Sequence, residues 1–282
     1  MAPYEAFYLG SLAIFGLIFG SFGNVLIWRV PRGESIVSPP SHCPNCGHAV
    51  RWYDNLPVVS WLVLRGRCRD CGVPIPWRYP VVEGVSAVLW VLAGLYWGFS
   101  LATPFAIAFL YLLLILSAVD IDTRRLPTVL IAALAAVGAV GAVLGQLTGR
   151  PVTPLVGVAT AGWLSSPVTV AALGLVLGGG LAWCLASLYR LIRKRTGLGA
   201  GDIRLLGALG LFLGTYVLLA FVIANALGLV AGLVQMALRH GDPERHDSPS
   251  VPFGPFLAAG AVLSVLSGPA LWLWYLGLLG VR

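Results

Sequence analysis

The chain has 282 residues, of which 58% are hydrophobic and only 10% are charged, and its net charge is +7. A soluble domain carries about a quarter charged residues, so this composition excludes an ordinary water-soluble protein. The basic residues flank apolar runs instead of covering a polar domain, which argues against a nucleic-acid-binding protein.

Seven apolar runs approach or exceed the roughly 20 residues that a helix needs to cross a bilayer. They cover residues 6–28, 81–98, 104–119, 127–147, 168–192, 203–238 and 256–279. The sixth run has 36 residues, too many for one crossing, and Gly214 with Thr215 offers the best place to turn. Its first half is short, about 11 residues. The sequence therefore predicts an all-α polytopic membrane protein with about eight transmembrane helices.

The apolar and polar runs divide the chain into three regions. Residues 1–28 form the first transmembrane helix, 29–80 a small polar module, and 81–282 a transmembrane bundle. The first helix has no basic residue before it, and its basic flank follows it, so we expect a retained span and not a cleaved signal peptide.

The basic residues predict the orientation, because cytoplasmic loops are enriched in Lys and Arg. With the N-terminus outside, segments 29–80, 120–126, 190–204 and 239–255 face the cytoplasm. These segments hold 16 of the 18 basic residues, and only Arg150 and Arg282 lie outside. Most of the net positive charge is therefore explained by membrane topology.

The polar module contains two cysteine pairs, CPNCGH at 43–48 and CRDCGV at 68–73. The spacing C-x2-C-x21-C-x2-C is typical of a four-cysteine structural zinc site, and the glycine after each pair lets the turn fold back toward the sulfurs. The predicted ligands are Cys43, Cys46, Cys68 and Cys71. We expect their sulfurs to lie about 3.5–4 Å apart, since Zn–S bonds are about 2.3 Å long.

Two further arguments favour a metal in this module. The predicted cytoplasmic location disfavours disulfides, and a segment of about 50 residues hardly builds a sufficient core alone. The alternatives are a redox-active pair or a module that has lost its metal. His42 and His48 flank the first pair and are interpreted as solvated, and Cys184 is interpreted as a small buried side chain within a span.

Four carboxylates lie within or beside the predicted spans. They are Glu83, Asp120, Asp122 and Asp202. Carboxylates are costly near lipid and usually have a function there. The topology places Asp120 and Asp202 at the same membrane level on the same side, although they are 82 residues apart in sequence. As alternatives, Asp202 could cap a helix, and Asp120 and Asp122 could be neutralised by the arginines that follow them.

Three glycines precede Asp202, namely Gly197, Gly199 and Gly201. A helix cap needs at most one glycine, whereas several permit the close approach of an extended peptide backbone. Two adjacent carboxylates share a proton, so that one activates water while the other donates to a carbonyl oxygen. Asp120 and Asp122 point about 200° apart on a helix, so at most one faces Asp202, and helix geometry does not choose between them.

Four stretches of the chain together resemble the bacterial prepilin peptidases, also called type IV leader peptidases, which are GxGD intramembrane aspartyl proteases. They read FGSFGNVLIWRVPRGES, the four-cysteine segment 41–83, DIDTRRLP and GLGAGDIRLLGALG. The resemblance implies that Asp120, seven residues before Pro127, and Asp202 of the GxGD motif are the catalytic aspartates.

The resemblance also implies an activity. Family members remove the basic leader of prepilins and pseudopilins just before the apolar helix, and many then methylate the new N-terminus with S-adenosylmethionine. This implies a multi-pass protein of the bacterial inner membrane, with the zinc module and both aspartates on the cytoplasmic side. No methyl-donor residues are carried over, and the specific substrate and the oligomeric state are not implied.

Two alternatives for the function stay open at this point. One is a leader peptidase without methyltransferase activity. The other is a transporter lined by carboxylates, which should place them near the bilayer midplane. Glu83 likewise has two interpretations, an interfacial charge or a link between the zinc module and the bundle near the methyl-donor site.

Overall fold

The structure is a computed structural model that describes residues 3–150, 152–153, 166–194, 198–238 and 251–278. The helices are α1 Pro3–Arg29, α2 Val59–Val63, α3 Arg78–Trp97, α4 Ala102–Thr123, α5 Thr128–Thr148, α6 Pro167–Leu175, α7 Ala182–Arg193, α8 Ala200–Leu213, α9 Val217–Leu238 and α10 Gly254–Leu278. A π-helical segment, Val176–Leu181, joins α6 to α7, and short 3-10 turns occur at Val30–Arg32, Trp52–Asn55 and Gly214–Tyr216. Within the described ranges, extended pairing is limited to two isolated bridges. The predicted all-α class is confirmed.

Seven helical stretches are long and apolar enough to cross a membrane, judged by length and composition. Their bounds lie within four residues of the predicted runs. The count is one below the predicted eight because α8, with 14 residues, is shorter than the roughly 20 that a crossing needs.

The predicted turn within the sixth run is present. Gly214 has a φ of +54°, a conformation that favours glycine. A Cβ placed on Gly178 would lie 3.0 Å from both the carbonyl carbon of Leu206 and Cγ2 of Val217. Two residues on either side of the turn therefore meet the same point, so α9 folds back along α8.

Contacts divide the chain into two compact units, and the first comprises residues 1–103 and 110–115. Here α1 and α3 pack as an antiparallel pair along small residues. A Cβ on Gly16 would lie 2.6 Å from Cα of Ala87, and one on Gly20 would lie 2.6 Å from Cα of Glu83. Glycines at this four-residue spacing let two membrane helices approach at backbone distance.

The second unit comprises residues 104–109 and 116–282, and α8 is its most buried helix. The buried residues of α8 are Leu205, Leu206, Gly207, Ala208, Leu209, Gly210, Phe212 and Leu213. Glycine again permits the approach, since Gly210 meets the backbone of Gly174 on α6. On the opposite side, the ring of Phe212 stacks on Phe109 of α4 with the centroids 4.7 Å apart. The short α8 is therefore held at the centre of this unit, which fixes the position of its first turn.

Candidate functional site

Asp120 lies near the end of α4 and is buried, with only 6% of its surface exposed. Its Oδ2 accepts a hydrogen bond of 2.8 Å from the backbone N–H of Gly254, the first residue of α10. The N-terminus of a helix favours a negative charge. Asp122, two residues further along α4, is exposed. The structure thus makes the choice that helix geometry alone left open, because Asp120 is the aspartate that faces the interior.

Asp202 is the third residue of α8 and is partly exposed. Its carboxylate accepts a hydrogen bond from the backbone N–H of Gly199, the residue that precedes the helix. A carboxylate in the first turn that bonds back in this way satisfies an amide left without a helical partner. The alternative of a helix cap is therefore partly correct, although Gly199 and not Asp202 occupies the capping position.

The two aspartates belong to the same compact unit, and the charge of Asp120 acts on Asp202. Asp120 is in the last turns of α4, and Asp202 is in the first turn of α8. The transporter alternative expects carboxylates in the middle of the spans, so their position at helix ends disfavours it. Folding has brought together two groups that lie far apart in sequence.

Contacts between α8 and the segment after α4 fix the start of α8. A Cβ on Gly201 would lie 3.0 Å from Cβ of Leu126, which directly precedes Pro127. Arg204 donates from Nη1 to the Thr128 hydroxyl over 2.9 Å. Both contacts join the GxGD segment to the segment that carries the first aspartate.

The glycines before Asp202 make room for the chain itself. Gly199 allows the carboxylate to fold back, since a Cβ there would lie 2.8 Å from Oδ2 of Asp202. Gly201 allows the approach of Leu126 described above. Gly197 lies outside the described residues. Two of the three glycines therefore have a packing role that the sequence analysis did not foresee.

Gly254 is the residue of this site that the sequence analysis missed. A Cβ at this position would lie 2.8 Å from Oδ2 of Asp120 and 3.2 Å from both its Cβ and Cγ. The available signal was the glycine within PFGPF, at residues 252–256, where an apolar helix begins. Because the contact is made by a backbone amide, no side-chain pattern pointed to it.

The four predicted cysteine ligands converge. Their sulfurs all lie within 4.8 Å of one another, and Cys43 and Cys71 are 3.8 Å apart. The exposed histidines are not members of the cluster, as predicted. A separation of 3.8 Å is what two thiolates bound to one tetrahedral zinc would show. The donor set and its spacing therefore fit a structural Zn²⁺.

Two equivalent hairpins build the cysteine cluster, with an offset of 25 residues between them. In the first, the N–H of Cys43 donates to the His48 carbonyl over 2.9 Å, and in the second Cys68 donates to Val73 over the same distance. Gly47 and Gly72, which follow the pairs, have φ values of +73° and +70°. These are left-handed conformations that glycine adopts at little cost, so the role predicted for these glycines is confirmed.

The same hairpins supply N–H groups to the sulfurs. The backbone N–H of Val73 lowers the pKa of the Cys71 thiol to about 6, and the N–H groups of Cys46 and Asn45 lower the pKa of Cys43. At Cys46 the N–H of His48 also lowers the pKa, but desolvation and the neighbouring sulfurs outweigh it and raise the pKa to about 12. A cluster that holds some thiols ionised and resists ionising the rest is suited to a divalent cation, which stabilises all four thiolates.

The polar segment 29–80 is also tied to the α1–α3 pair, through Glu83. This side chain is 8% exposed, and its Oε2 accepts the backbone N–H of Val58 over 2.7 Å. The link between the module and a transmembrane helix is thus present. Cys184 lies within a candidate span but is exposed on α7, so the prediction of a buried side chain was wrong.

Comparison with known proteins identifies the family. Residues 14–97 match the model of the bacterial peptidase A24 N-terminal domain, and residues 107–234 match that of the type IV leader peptidase family. The chain belongs to the type IV leader peptidase family. The four cysteines lie in the first matched region and both aspartates in the second, whereas Gly254 lies outside both.

Curated relatives within the type IV leader peptidase family match almost the whole chain. Proteins named prepilin leader peptidase/N-methyltransferase are 31% identical in Aeromonas hydrophila (95% of this chain and 94% of the relative), 34% in Dickeya chrysanthemi (93% and 94%) and 32% in Dichelobacter nodosus (94% and 93%). No solved structure matches the chain. Membership in the family, as the sequence motifs indicated, is confirmed.

Proposed function

We propose that this chain cleaves the leader from type IV prepilins and pseudopilins by hydrolysis at an Asp120–Asp202 dyad, and that it methylates the new N-terminus. The observation that carries the proposal is that two carboxylates, one of them buried, lie in one unit and act on each other's charge. The family and the names of the relatives support the same activity.

The proposed chemistry follows from two carboxylates that hold one proton between them. The ionised aspartate takes a proton from water as the water oxygen attacks the scissile carbonyl carbon. The protonated aspartate donates to the carbonyl oxygen, and the C–N bond then breaks as the leaving amine receives a proton. The Gly254 N–H and the Gly199 N–H each donate to one aspartate, so both side chains are oriented before the substrate arrives.

The proposed location of the cleavage is the cytoplasmic boundary of the bacterial inner membrane. The distribution of 16 of 18 basic residues supports an N-terminus outside and both aspartates on the cytoplasmic side. A prepilin with a basic leader in the cytoplasm and an apolar helix in the lipid presents its scissile bond at this level. We retain Gly197, Gly199 and Gly201 as the proposed approach path for the substrate backbone.

Two cofactors belong to the proposal. Zn²⁺ would be held by Cys43, Cys46, Cys68 and Cys71, where it would have a structural role, since four protein ligands leave no position for a substrate. S-adenosylmethionine would supply the methyl group, and no residue is assigned to it. The names of the relatives favour the bifunctional enzyme over a peptidase without methyltransferase activity.

Asparagine substitutions test the dyad, because asparagine keeps the shape of the side chain and removes its acid–base function. In a purified system with one candidate prepilin, Asp120→Asn and Asp202→Asn should each lower the cleavage rate by several orders of magnitude. The matched control is Asp122→Asn on the exposed side of α4, which should retain cleavage.

Methylation of a pre-cleaved substrate separates the two activities. It should persist in both dyad variants, which would also show that they insert and fold. Full cleavage by Asp202→Asn would end the protease assignment. An inactive Asp122→Asn beside an active Asp120→Asn would move the dyad by two residues.

A further inference from the structure

The polar segment between α1 and α3 contains an apolar stretch, LPVVSWLVL at residues 56–64, with Ser60 as its single polar side chain. The helix α2, Val59–Val63, lies within it. Arg51 precedes the stretch, and Arg65 and Arg67 follow it. An apolar run between basic residues is unexpected in a loop that lies wholly in water.

The inward face of α2 is held by contacts within the segment. The Ser60 hydroxyl donates to the Tyr53 carbonyl over 2.9 Å and accepts the N–H of Leu56 over 3.1 Å. Trp61 donates from Nε1 to the Ile75 carbonyl over 3.1 Å, and its ring covers Gly66. These contacts fix the rotation of α2 and so determine which side chains point outward.

The outward face of α2 is apolar. Val59, Leu62 and Val63 are spaced as neighbours on one side of a helix, and 53%, 61% and 70% of their surfaces remain exposed in the described part of the chain. An apolar helix face next to polar loops marks an interaction site. The question is which partner covers it.

The hydrogen bond between Val58 and Glu83 places α2 at the depth of the membrane. Glu83 is the sixth residue of α3, about 7.5 Å along the helix from Arg78 at 1.5 Å per residue. The 20 residues of α3 span about 30 Å, roughly the thickness of the hydrocarbon core. Trp77, which is 71% exposed, precedes α3 where interfacial tryptophans are common. Interfacial helices bury their apolar face about 5–10 Å deep, which agrees with the depth of Val58.

The backbone at this junction is bent toward the membrane helix. Val58 has a φ of +60°, which is costly for a β-branched residue. The bend directs its N–H to the buried Glu83 carboxylate. The position of α2 beside α3 is therefore specified by the fold.

We infer that residues 56–64 form an interfacial membrane anchor whose Val59, Leu62 and Val63 side chains insert into the lipid of the leaflet at the start of α3. Arg65 and Arg67 are exposed and at the right position to reach anionic headgroups. The partner is the bilayer itself, because the segment is continuous with two transmembrane helices and is bonded to one of them. This inference does not depend on the proposed catalytic activity.

Photo-crosslinking in nanodiscs of phosphatidylethanolamine and phosphatidylglycerol tests the anchor. The full-length chain would carry p-benzoyl-phenylalanine in place of Leu62 or Val63, and intact mass after irradiation would reveal lipid adducts. The positive control replaces Leu229, a 65% exposed residue of a candidate span, and the negative control replaces the exposed His48 of the first cysteine hairpin. Val59 offers a third position on the same face if one variant fails to fold.

We expect lipid adducts at 62 and 63 in yields comparable to position 229, and about tenfold above position 48, as for residues inserted in the acyl region. Adducts at 229 without adducts at 62, 63 and 59 would overturn the inference. Crosslinks from these positions to a second copy of the chain would also overturn it, because the face would then be a protein interface.

Discussion

The contact between Gly254 and Asp120 predicts that Gly254→Ala impairs cleavage without unfolding the protein. The added methyl carbon would lie 2.8 Å from Oδ2 of Asp120 and 3.2 Å from its Cβ and Cγ. Carbon atoms pack at about 3.5–4.0 Å, so the carboxylate must shift by roughly half an ångström. A misplacement of about 1 Å in a catalytic group can cost about 100-fold in rate, so we expect kcat to fall by about 10- to 100-fold, or about 1.4–2.8 kcal/mol in the barrier.

The assay for Gly254→Ala compares kcat and KM for prepilin cleavage with the methylation rate on a pre-cleaved substrate. A displaced catalytic carboxylate lowers kcat with little change in KM or methylation, whereas general destabilisation lowers both activities. The backbone of Gly254 is outside the left-handed region, so alanine introduces no backbone strain. Gly232→Ala is the matched control, since a Cβ there meets nothing within 4 Å. Wild-type kcat in a folded Gly254→Ala enzyme would refute the reasoning.

Three further predictions concern the metal, the topology and Glu83. Elemental analysis should find about one zinc per chain; Cys43→Ser should lose it and Cys184→Ser, on α7, should keep it, and a metal-free wild-type protein with a folded 43–71 segment would contradict the zinc assignment. Cysteines introduced at residues 51 and 245 should be protected from external reagent in intact cells while one at residue 150 reacts, because Lys and Arg favour the cytoplasmic side; labelling of residue 150 only from the inside would reverse the orientation. Glu83→Gln should lower methylation more than cleavage, because it weakens the bond that ties Val58 to α3; an equal loss of both activities would indicate simple destabilisation.

The candidate site is assembled from three helix ends. Asp120 comes from the end of α4, Asp202 from the start of α8, and the Gly254 N–H from the start of α10. Helix starts leave backbone N–H groups without helical partners, and two of these groups bond the two aspartates. The same feature that would make an isolated helix end costly in a membrane here orients the carboxylates.

The sequence by itself determined the membrane helices and the metal ligands. A span must be long and apolar enough for the bilayer, and its backbone must hydrogen-bond within itself, so hydropathy along the chain is sufficient to locate it. The turn at Gly214 and the two C-x2-C-G hairpins are likewise local, because each depends on a glycine at a fixed position in a short segment. These features were all predicted correctly without knowledge of the packing.

Only the tertiary structure decided which residues meet across long separations. Helix periodicity could not choose between Asp120 and Asp122, and burial against α10 did so. The bonds from Gly254 to Asp120 and from Val58 to Glu83 are donated by backbone amides, which every residue except proline possesses. Such donors have no signature in the sequence. Their position follows from how closely the glycine-bearing helices pack, and that is a property of the whole fold.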